Sequence, residues 1–535
     1  MKGPVEESSR GIHGFSSIVR PSSLIVAFIL GAATVAGFAP FRIFLLPVLA
    51  LTALFVLWLR AETARRAGAL GFAYGLGLFL SGTSWVYVSL HDFGSMPAPL
   101  AALATFLFCA IMALLPAVAG YASTRVPGSA GVKLGVLAPA FWTLAEWVRS
   151  WLFTGFPWLA TGYSQIPSDP LAGFAPVLGI YGVTLATAVT AGLLALLWER
   201  AATKSEGGRE KVERHNRVRQ ALSSIIHYSS FIILTLWVGG WSLKQIAWTE
   251  PLGPPVSVSL IQGNVAQDLK WRADRVLPTL ETYRELVERS PSRLIVLPET
   301  ALPLFLRQVP KDYLEELAAH ARRNGGDVLV GVAEGSPNGE YFNSVVSFGT
   351  APMQRYRKSH LVPFGEFIPL RPVLAWIVNV LAIPLQDFSR GREDQRPLAV
   401  AGQRVAVDIC YEDVFGEEII RQLPEATLLV NVSNVAWFGR SIAPQQHLQI
   451  SQARALESGR YMLRATNTGV TAIIDARGEV LASAPEFTRA TVSRMVPGYT
   501  GSTPYVRWGN YAVLLLCATM IAGAIILAGK GTGNR

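Results

Sequence analysis

The chain lacks much of what marks an ordinary soluble enzyme. Only 16% of its 535 residues are charged and 51% are hydrophobic, which excludes a single soluble globular domain and leaves length for several domains. Cysteine is scarce: there are three, and Cys109 and Cys517 lie in long apolar stretches. That excludes a disulfide-stapled scaffold and leaves Cys410 as the lone thiol of the polar part. There is no glycine-rich phosphate loop, no His/Cys cluster at metal-ligand spacing and no internal repeat, so nucleotide chemistry, a metal centre and a solenoid all lack their signatures. No cofactor and no metal are expected. Acidic residues are also in deficit, 37 against 47 Lys and Arg for a net charge of +10. The basic residues cluster beside apolar spans rather than on one polar face, so membrane topology accounts for them and nucleic acid is not an expected partner.

What is present is a series of apolar runs. About twenty such residues cross a bilayer as a helix, and Leu24–Phe38, Phe44–Leu59, Leu70–Leu90, Leu100–Ala122, Leu134–Phe153, Leu171–Leu197 and Phe231–Trp248 are candidates, with Tyr511–Leu527 alone near the C-terminus. The first has basic residues before it but no small-residue cleavage site, and reads as an uncleaved span. Arg10 and Arg20 precede the first span; Arg60, Arg65 and Arg66 follow the second, Arg125 and Lys133 the fourth, and Lys204, Arg209, Lys211, Arg214, Arg217 and Arg219 the sixth. Those loops belong inside, with both termini, and the polar segment between the last two spans lies outside, the periplasm in a bacterium. The expected organisation is a transmembrane domain over 1–250 with about seven spans, a catalytic domain over 251–505 and a last transmembrane helix over 506–535.

Two features of the membrane half are specific. Glu146 and Arg149 share a helix face, either as a pair or at a helix end dipping into the interface. Phe153-Thr-Gly-Phe-Pro-Trp-Leu-Ala-Thr-Gly-Tyr-Ser-Gln165 is an outer loop, read either as an aromatic belt or as the rim of a lipid-facing entrance.

The polar segment alternates apolar strands (Val256–Gln262, Leu294–Leu297, Val328–Val332, Ser344–Phe348, Val405–Cys410, Leu428–Val432, Val470–Ile474) with amphipathic runs at Arg275–Glu288, Lys311–Arg323 and Gln445–Arg464. The pattern is α/β with a largely buried sheet. Three stretches carry chemistry, each at or after a strand. Leu294-Ile-Val-Leu-Pro-Glu-Thr300 delivers Glu299, a cap or a base; Tyr356-Arg-Lys-Ser-His-Leu-Val-Pro-Phe-Gly-Glu366 delivers Lys358, a surface cation or a partner; and Val405-Ala-Val-Asp-Ile-Cys-Tyr-Glu-Asp413 delivers Cys410 ahead of a helix start near Asp413. Taken singly each has a bland reading, Cys410 as a small buried hydrophobe included. Together they form a sufficient set for acyl transfer through a thioester: a thiol nucleophile, a carboxylate base and an ammonium for the oxyanion.

With Lys-x-x-Leu-Val-Pro-Phe-Gly-Glu and Cys-Tyr-Glu around them, these residues resemble the nitrilase superfamily and, more narrowly, the bacterial apolipoprotein N-acyltransferase family. The resemblance extends to the spans, the Gly-Phe-Pro-Trp loop, Gln262-Gly-Asn264, Leu269-Lys-Trp271, Asn431–Gly439 and the final span. It implies an αββα sandwich beside a polytopic helical domain, in the inner membrane. It also implies a ping-pong reaction from a phospholipid, at sn-1 of phosphatidylethanolamine, to the α-amine of a diacylglyceryl-cysteine on an apolipoprotein. Cys410 would be the nucleophile, Glu299 the base and Lys358 the oxyanion partner, with Glu366, Tyr411 and Glu412 in support. Trp271 and Trp437 would bind substrate. Core packing for Trp271 and a helix-terminal charge for Glu412 are the alternatives. One position departs: the family commonly has Asn-Asp-x-Trp-Phe-Gly, and Val435 here replaces the acid. The apolar insertion from Phe367 to Phe388, with Leu370, Leu374, Trp376, Ile377, Leu381, Ile383 and Leu385, is read as a mobile lid toward lipid or a packed flap. A membrane-anchored amidase, passing the thioester to water, is the competing activity; a membrane scaffold or transporter indifferent to Cys410 is the non-enzymatic one. Nothing demands more than a monomer.

Overall fold

Runs of apolar residues without a wet face form the helices of the first half of this computed structural model, which describes residues 21–206, 212–335, 339–368 and 388–532. Helices occur at every expected span: Pro21–Thr34, Leu45–Leu59, Ala64–Gly82, Ala98–Arg125, Ala138–Arg149, Ala175–Glu206, Val212–Lys244 and Tyr511–Thr532. They are unequal. Among the described residues three helices, Ala98–Arg125, Pro170–Ala202 and Tyr511–Gly529, are long and apolar enough to cross a bilayer, and Ala64–Gly82 with Trp85–Phe93 makes a fourth candidate bent by 50°. Leu103, Phe106, Ile111, Leu114 and Val118 on one of these helices, and Leu515, Ile526 and Leu527 on another, are exposed. An apolar belt of this kind fits lipid rather than water, and the protein is a membrane protein. The helices approach closely through glycine: a Cβ at Gly77 would lie 2.0 Å from the Phe28 carbonyl oxygen, so only hydrogen fits there.

The polar segment contains, in chain order, β1 (Thr249–Gln262), β2 (Leu294–Val296), β3 (Leu302–Phe305), β4 (Asp327–Gly335), β5 (Tyr341–Gly349), β6 (Arg355–Arg357), β7 (Leu398–Val400), β8 (Gln403–Ile409), β9 (Leu428–Ser433), β10 (Met462–Thr466), β11 (Ala472–Ile474), β12 (Val480–Ser483) and β13 (Ala490–Gly501). They form a sheet in the order β13-β1-β2-β4-β5-β6, with β3 beside β4, and a second in the order β12-β11-β10-β9-β8-β7. Central strands run parallel and the flanks antiparallel.

The sheets face each other across one core, where Val258, Leu260, Val296 and Leu329 meet Val407, Ile409, Val430 and Leu463. The outer face of the first sheet is covered by helices Ala273–Glu288 and Lys311–Arg323, through Tyr283, Val287, Leu317 and Ala321. The outer face of the second is covered by helix Ala443–Ser458, through Leu448 and Ala455. The result is an αββα sandwich.

That last helix corrects one sequence expectation. The amphipathic run to Arg464 ends at Ser458, where Gly459 takes a left-handed cap, and the chain resumes as β10. Nor is it amphipathic, because it is buried on both sides. Leu448 and Ala455 meet the sheet, while Ala443, Ile450, Ala453 and Leu456 join the core of the membrane half. Its polar residues bond across that junction: Gln446 Oε1 accepts from Trp158 Nε1 at 2.7 Å, Gln449 Oε1 from the Ala39 amide at 2.9 Å, and Glu457 from the Ile180 amide at 2.6 Å. The helix at Ala175–Glu206 is broken at Gly179 (φ +67°), which frees that amide to be accepted. A helix wedged between two bodies has no solvent side for a periodicity to report.

Candidate active site

The sheet pair brings three strand ends together. β8 ends at Ile409, and Cys410 follows with φ +56°, a left-handed conformation costing a non-glycine residue about 1 kcal/mol or more unless its surroundings enforce it. They do: Asn431 Nδ2 donates to the Cys410 carbonyl at 3.1 Å, and the Ile409 amide donates to Glu412 at 2.7 Å. The helix start expected near Asp413 is a 3-10 turn over Cys410–Val414, followed by a short helix at Gly416–Ile419.

Glu299 follows β2 and Lys358 follows β6, both buried. Lys358 Nζ lies 3.5 Å from Glu299 Oε1 and 2.9 Å from a Glu366 carboxylate oxygen. Asn343 on β5 ties the carboxylates together, its Nδ2 donating to Glu299 at 2.7 Å and to Glu366 at 3.1 Å. The Asn434 amide donates to the other Glu299 oxygen at 2.7 Å. Burial pushes the Glu299 carboxyl up, but Lys358, Asn343 and Lys270 outweigh it and hold the group below the usual carboxylate range. Burial likewise favours neutral Lys358, yet Glu366 and Glu299 hold its ammonium well above an ordinary lysine. The half-buried Cys410 thiol is pushed well up by burial and then by Glu299, with Lys358 pulling the other way. The resting arrangement is a thiol, a carboxylate and an ammonium, so a thiol here could act as a nucleophile only with a base to take its proton.

The supporting residues divide. Glu412, 2% exposed, accepts from the Ser359 and His360 amides at 2.6 and 2.9 Å and from the Tyr356 hydroxyl at 3.0 Å, besides Ile409. It ties the chain beside Lys358 to the strand that carries Cys410. Tyr411 turns away, its hydroxyl donating to the Gly155 carbonyl at 2.9 Å in the 153–165 loop. Tyr411→Phe should therefore lower the melting temperature slightly, by one hydrogen bond's worth, and slow single-turnover acylation by up to about tenfold; an unchanged rate would show that this link does not position the site. Trp271 is 44% exposed, whereas Trp437 is half-buried against Phe93, with Ser89 Oγ donating to its carbonyl at 2.7 Å. Val435, 1% exposed, packs against Gly469, and the Asn434 bond to Glu299 forms without the missing acid. Asn343, Asn434 and Lys270 were invisible as site residues in the sequence; their only signal is position inside matched motifs or near a strand end.

Glu146 and Arg149 are buried but do not form a hydrogen-bonded pair. Glu146 accepts from the Thr161 amide, the Thr161 hydroxyl and the Thr184 hydroxyl at 2.6 to 3.0 Å. Arg149 donates to the Phe156 carbonyl at 2.7 Å and to that of Trp158. Both hold the 153–165 loop, whose residues divide: Trp158 packs inward beside Trp85 and His447, and Phe153 is 78% exposed with φ +54°. Of the insertion from Phe367 to Phe388, residues 369–387 lie outside the described residues, Leu370, Leu374, Trp376, Ile377, Leu381, Ile383 and Leu385 among them.

A thiol at a left-handed strand end, a carboxylate and a buried ammonium, all on an αββα sandwich, define a nitrilase-type domain built onto a membrane helical body. The family model described as "Apolipoprotein N-acyltransferase N-terminal domain" matches residues 30–193, and that described as "Carbon-nitrogen hydrolase" matches residues 257–505. The apolipoprotein N-acyltransferase of Nitrosomonas europaea is 53% identical over 510 residues, covering 95% of this chain and 98% of that protein. The one from Chromobacterium violaceum is 44% identical over 512 residues, covering 96% and 95%. A carbon-nitrogen hydrolase crystal structure from Helicobacter pylori G27 is 17% identical with a TM-score of 0.35, covering 48% of this chain and 94% of that one. The chain belongs to the apolipoprotein N-acyltransferase family, and it is an acyltransferase.

Proposed function

We propose that the protein moves a fatty acyl group from a phospholipid, sn-1 of phosphatidylethanolamine, to the α-amine of a diacylglyceryl-cysteine at the N-terminus of an apolipoprotein, the last step of lipoprotein maturation. Cys410 Sγ attacks the ester carbonyl while Glu299 takes the thiol proton. The oxyanion forms against Lys358 Nζ, held by Glu366. The intermediate collapses, the ester C–O bond breaks and Glu299 returns the proton to the leaving lysophospholipid oxygen. A thioester remains on Cys410. The acceptor amine then attacks it, Glu299 takes the amine proton, and the C–S bond breaks to give an amide and, with that proton, the free thiol. Tyr411 and Glu412 act as positioning residues. Trp271 and Trp437 contact lipid substrate. Residues 1–250 form the membrane domain, 251–505 the catalytic domain and 506–535 the final helix; the catalytic domain faces the periplasm from the inner membrane, with both termini in the cytoplasm.

The observation that carries this reading is the convergence of Glu299, Lys358 and Glu366 on the strand end that presents Cys410. The test is intact mass spectrometry after incubation with phosphatidylethanolamine. Wild type should gain a hydroxylamine-sensitive acyl mass that a diacylated lipopeptide discharges, and Cys410→Ala should gain none; discharge to water alone would favour an amidase. Because Glu299 is held ionised below its ordinary range, the acid limb of acylation should lie below the usual carboxylate range. A limb near neutrality, in a pH series of single turnovers, would remove Glu299 as the base.

A further inference from the structure

The mechanism above uses one ammonium, yet a second buried amine stands beside it. Lys270 is 2% exposed, and lysine is almost never that deep unless something there requires its charge. Its Nζ donates to Thr300 Oγ1 at 2.6 Å and to the Glu299 carbonyl at 3.3 Å. Thr300 has φ +43°, so the turn that aims the Glu299 carboxylate is left-handed at a β-branched residue, a conformation that persists only when its surroundings impose it. The turn bearing Lys270 is itself fastened to the site, because Asn434, whose amide donates to Glu299, donates through Nδ2 to Gln267 at 2.7 Å.

Charge balance gives the amine a second reason to be there. With Cys410 protonated, Glu299 and Glu366 bring two negative charges, and Lys358 and Lys270 bring two positive ones. The site stays neutral when the proton passes from Cys410 to Glu299. Without Lys270 it is anionic, and the oxyanion, which takes over the thiolate's charge, forms inside that excess.

We propose that Lys270 is a positioning residue for acyl transfer: its ammonium clamps the Glu299–Thr300 turn and balances the second carboxylate, so that thiolate and oxyanion form in a neutral site. The inference rests on the roles assigned to Glu299, Lys358 and Cys410 above. The ionisable groups that face Lys270 are Glu299 and Cys410, and both favour its ammonium, but burial prevails and lowers it to about 8. A lowered lysine is charged below that value and neutral above it, so the clamp weakens as pH rises through about 8 and acylation acquires an alkaline limb there.

The experiment compares full-length wild type, Lys270→Met and Lys270→Arg in lipid nanodiscs, by two readouts across neutral and alkaline pH. One is the rate of Cys410 alkylation by iodoacetamide, followed by peptide mass, which needs no acyl donor. The other is acyl-enzyme formation from phosphatidylethanolamine. Lys270→Met should move the alkylation profile to higher pH, cut acylation about 10²-fold at neutral pH and abolish the alkaline limb. Lys270→Arg should recover acylation to within about tenfold of wild type and displace the limb upward. An unchanged alkylation profile with acylation within about twofold of wild type would overturn the proposal. So would a loss in Lys270→Met that comes with a lowered melting temperature and an unmoved pH profile, since that is packing alone. Wild type that is alkylated at Cys410 but never acylated would instead overturn the acyl-transfer reading, with the alkylation profiles still deciding the role of Lys270.

Discussion

Glu299→Gln should lower the rate of acyl-enzyme formation by about 10³-fold while the protein keeps its fold. The carboxylate accepts from Asn343 Nδ2 at one oxygen and from the Asn434 amide at the other, both at 2.7 Å. A glutamine fits the volume, but whichever way it turns, its NH2 faces one of those donors. It also has no affinity for the thiol proton, and the thiol is held protonated by burial. The loss therefore falls on the chemical step rather than on lipid binding. Single-turnover acylation followed by intact mass checks this, with thermal unfolding in detergent as the fold control. A residual rate within about tenfold of wild type would mean that another group takes the proton.

The second large effect is expected at a residue that does no chemistry. Glu412→Gln should cost about 2 kcal/mol of stability and about 10²-fold in acylation. Its two oxygens accept from Ser359, His360, Tyr356 and Ile409, and a glutamine NH2 in place of either oxygen opposes at least one of the buried backbone amides of Ser359, His360 and Ile409. What comes apart is the splice between the segment carrying Lys358 and the strand carrying Cys410, so rate and stability fall together. The neighbouring Glu418→Gln is the comparison: Glu418 makes one side-chain hydrogen bond, with His360 Nδ1, and its side chain is 24% exposed. It should shift stability by less than about 0.5 kcal/mol. Melting temperatures of the two variants in the same detergent decide between them, and equal shifts would argue against Glu412 as the tie.

The strands at the centre of the sandwich were readable because they are apolar on both faces and short. Lys311–Arg323 matched its expected bounds because one face of that helix is wet. The strands Met462–Thr466 and Ala490–Gly501 were not foreseen. The first follows directly on a helix with no polar break longer than Gly459 to Tyr461, and the second is mostly exposed or half-buried and gains its order by pairing with β1. Glu146 and Arg149 could be read as a pair or as a helix end at the interface, because spacing along a helix shows only who shares a face. It does not show that a loop folds back to take both.

The sequence by itself determined the membrane character, the order of sheet and helix, and the identity of the thiol, the carboxylate and the lysine with which it is matched, because these rest on composition, local periodicity and short motifs. Only the tertiary structure decided what surrounds them. Glu412 reaches back to Tyr356 across 56 residues, Lys270 reaches Thr300 across 30, and helix Ala443–Ser458 is buried from two sides by bodies far apart in the chain. Hydrogen-bond partners of this kind leave no period in the sequence, since what places them is the meeting of strand ends, which is settled by packing over the whole sheet.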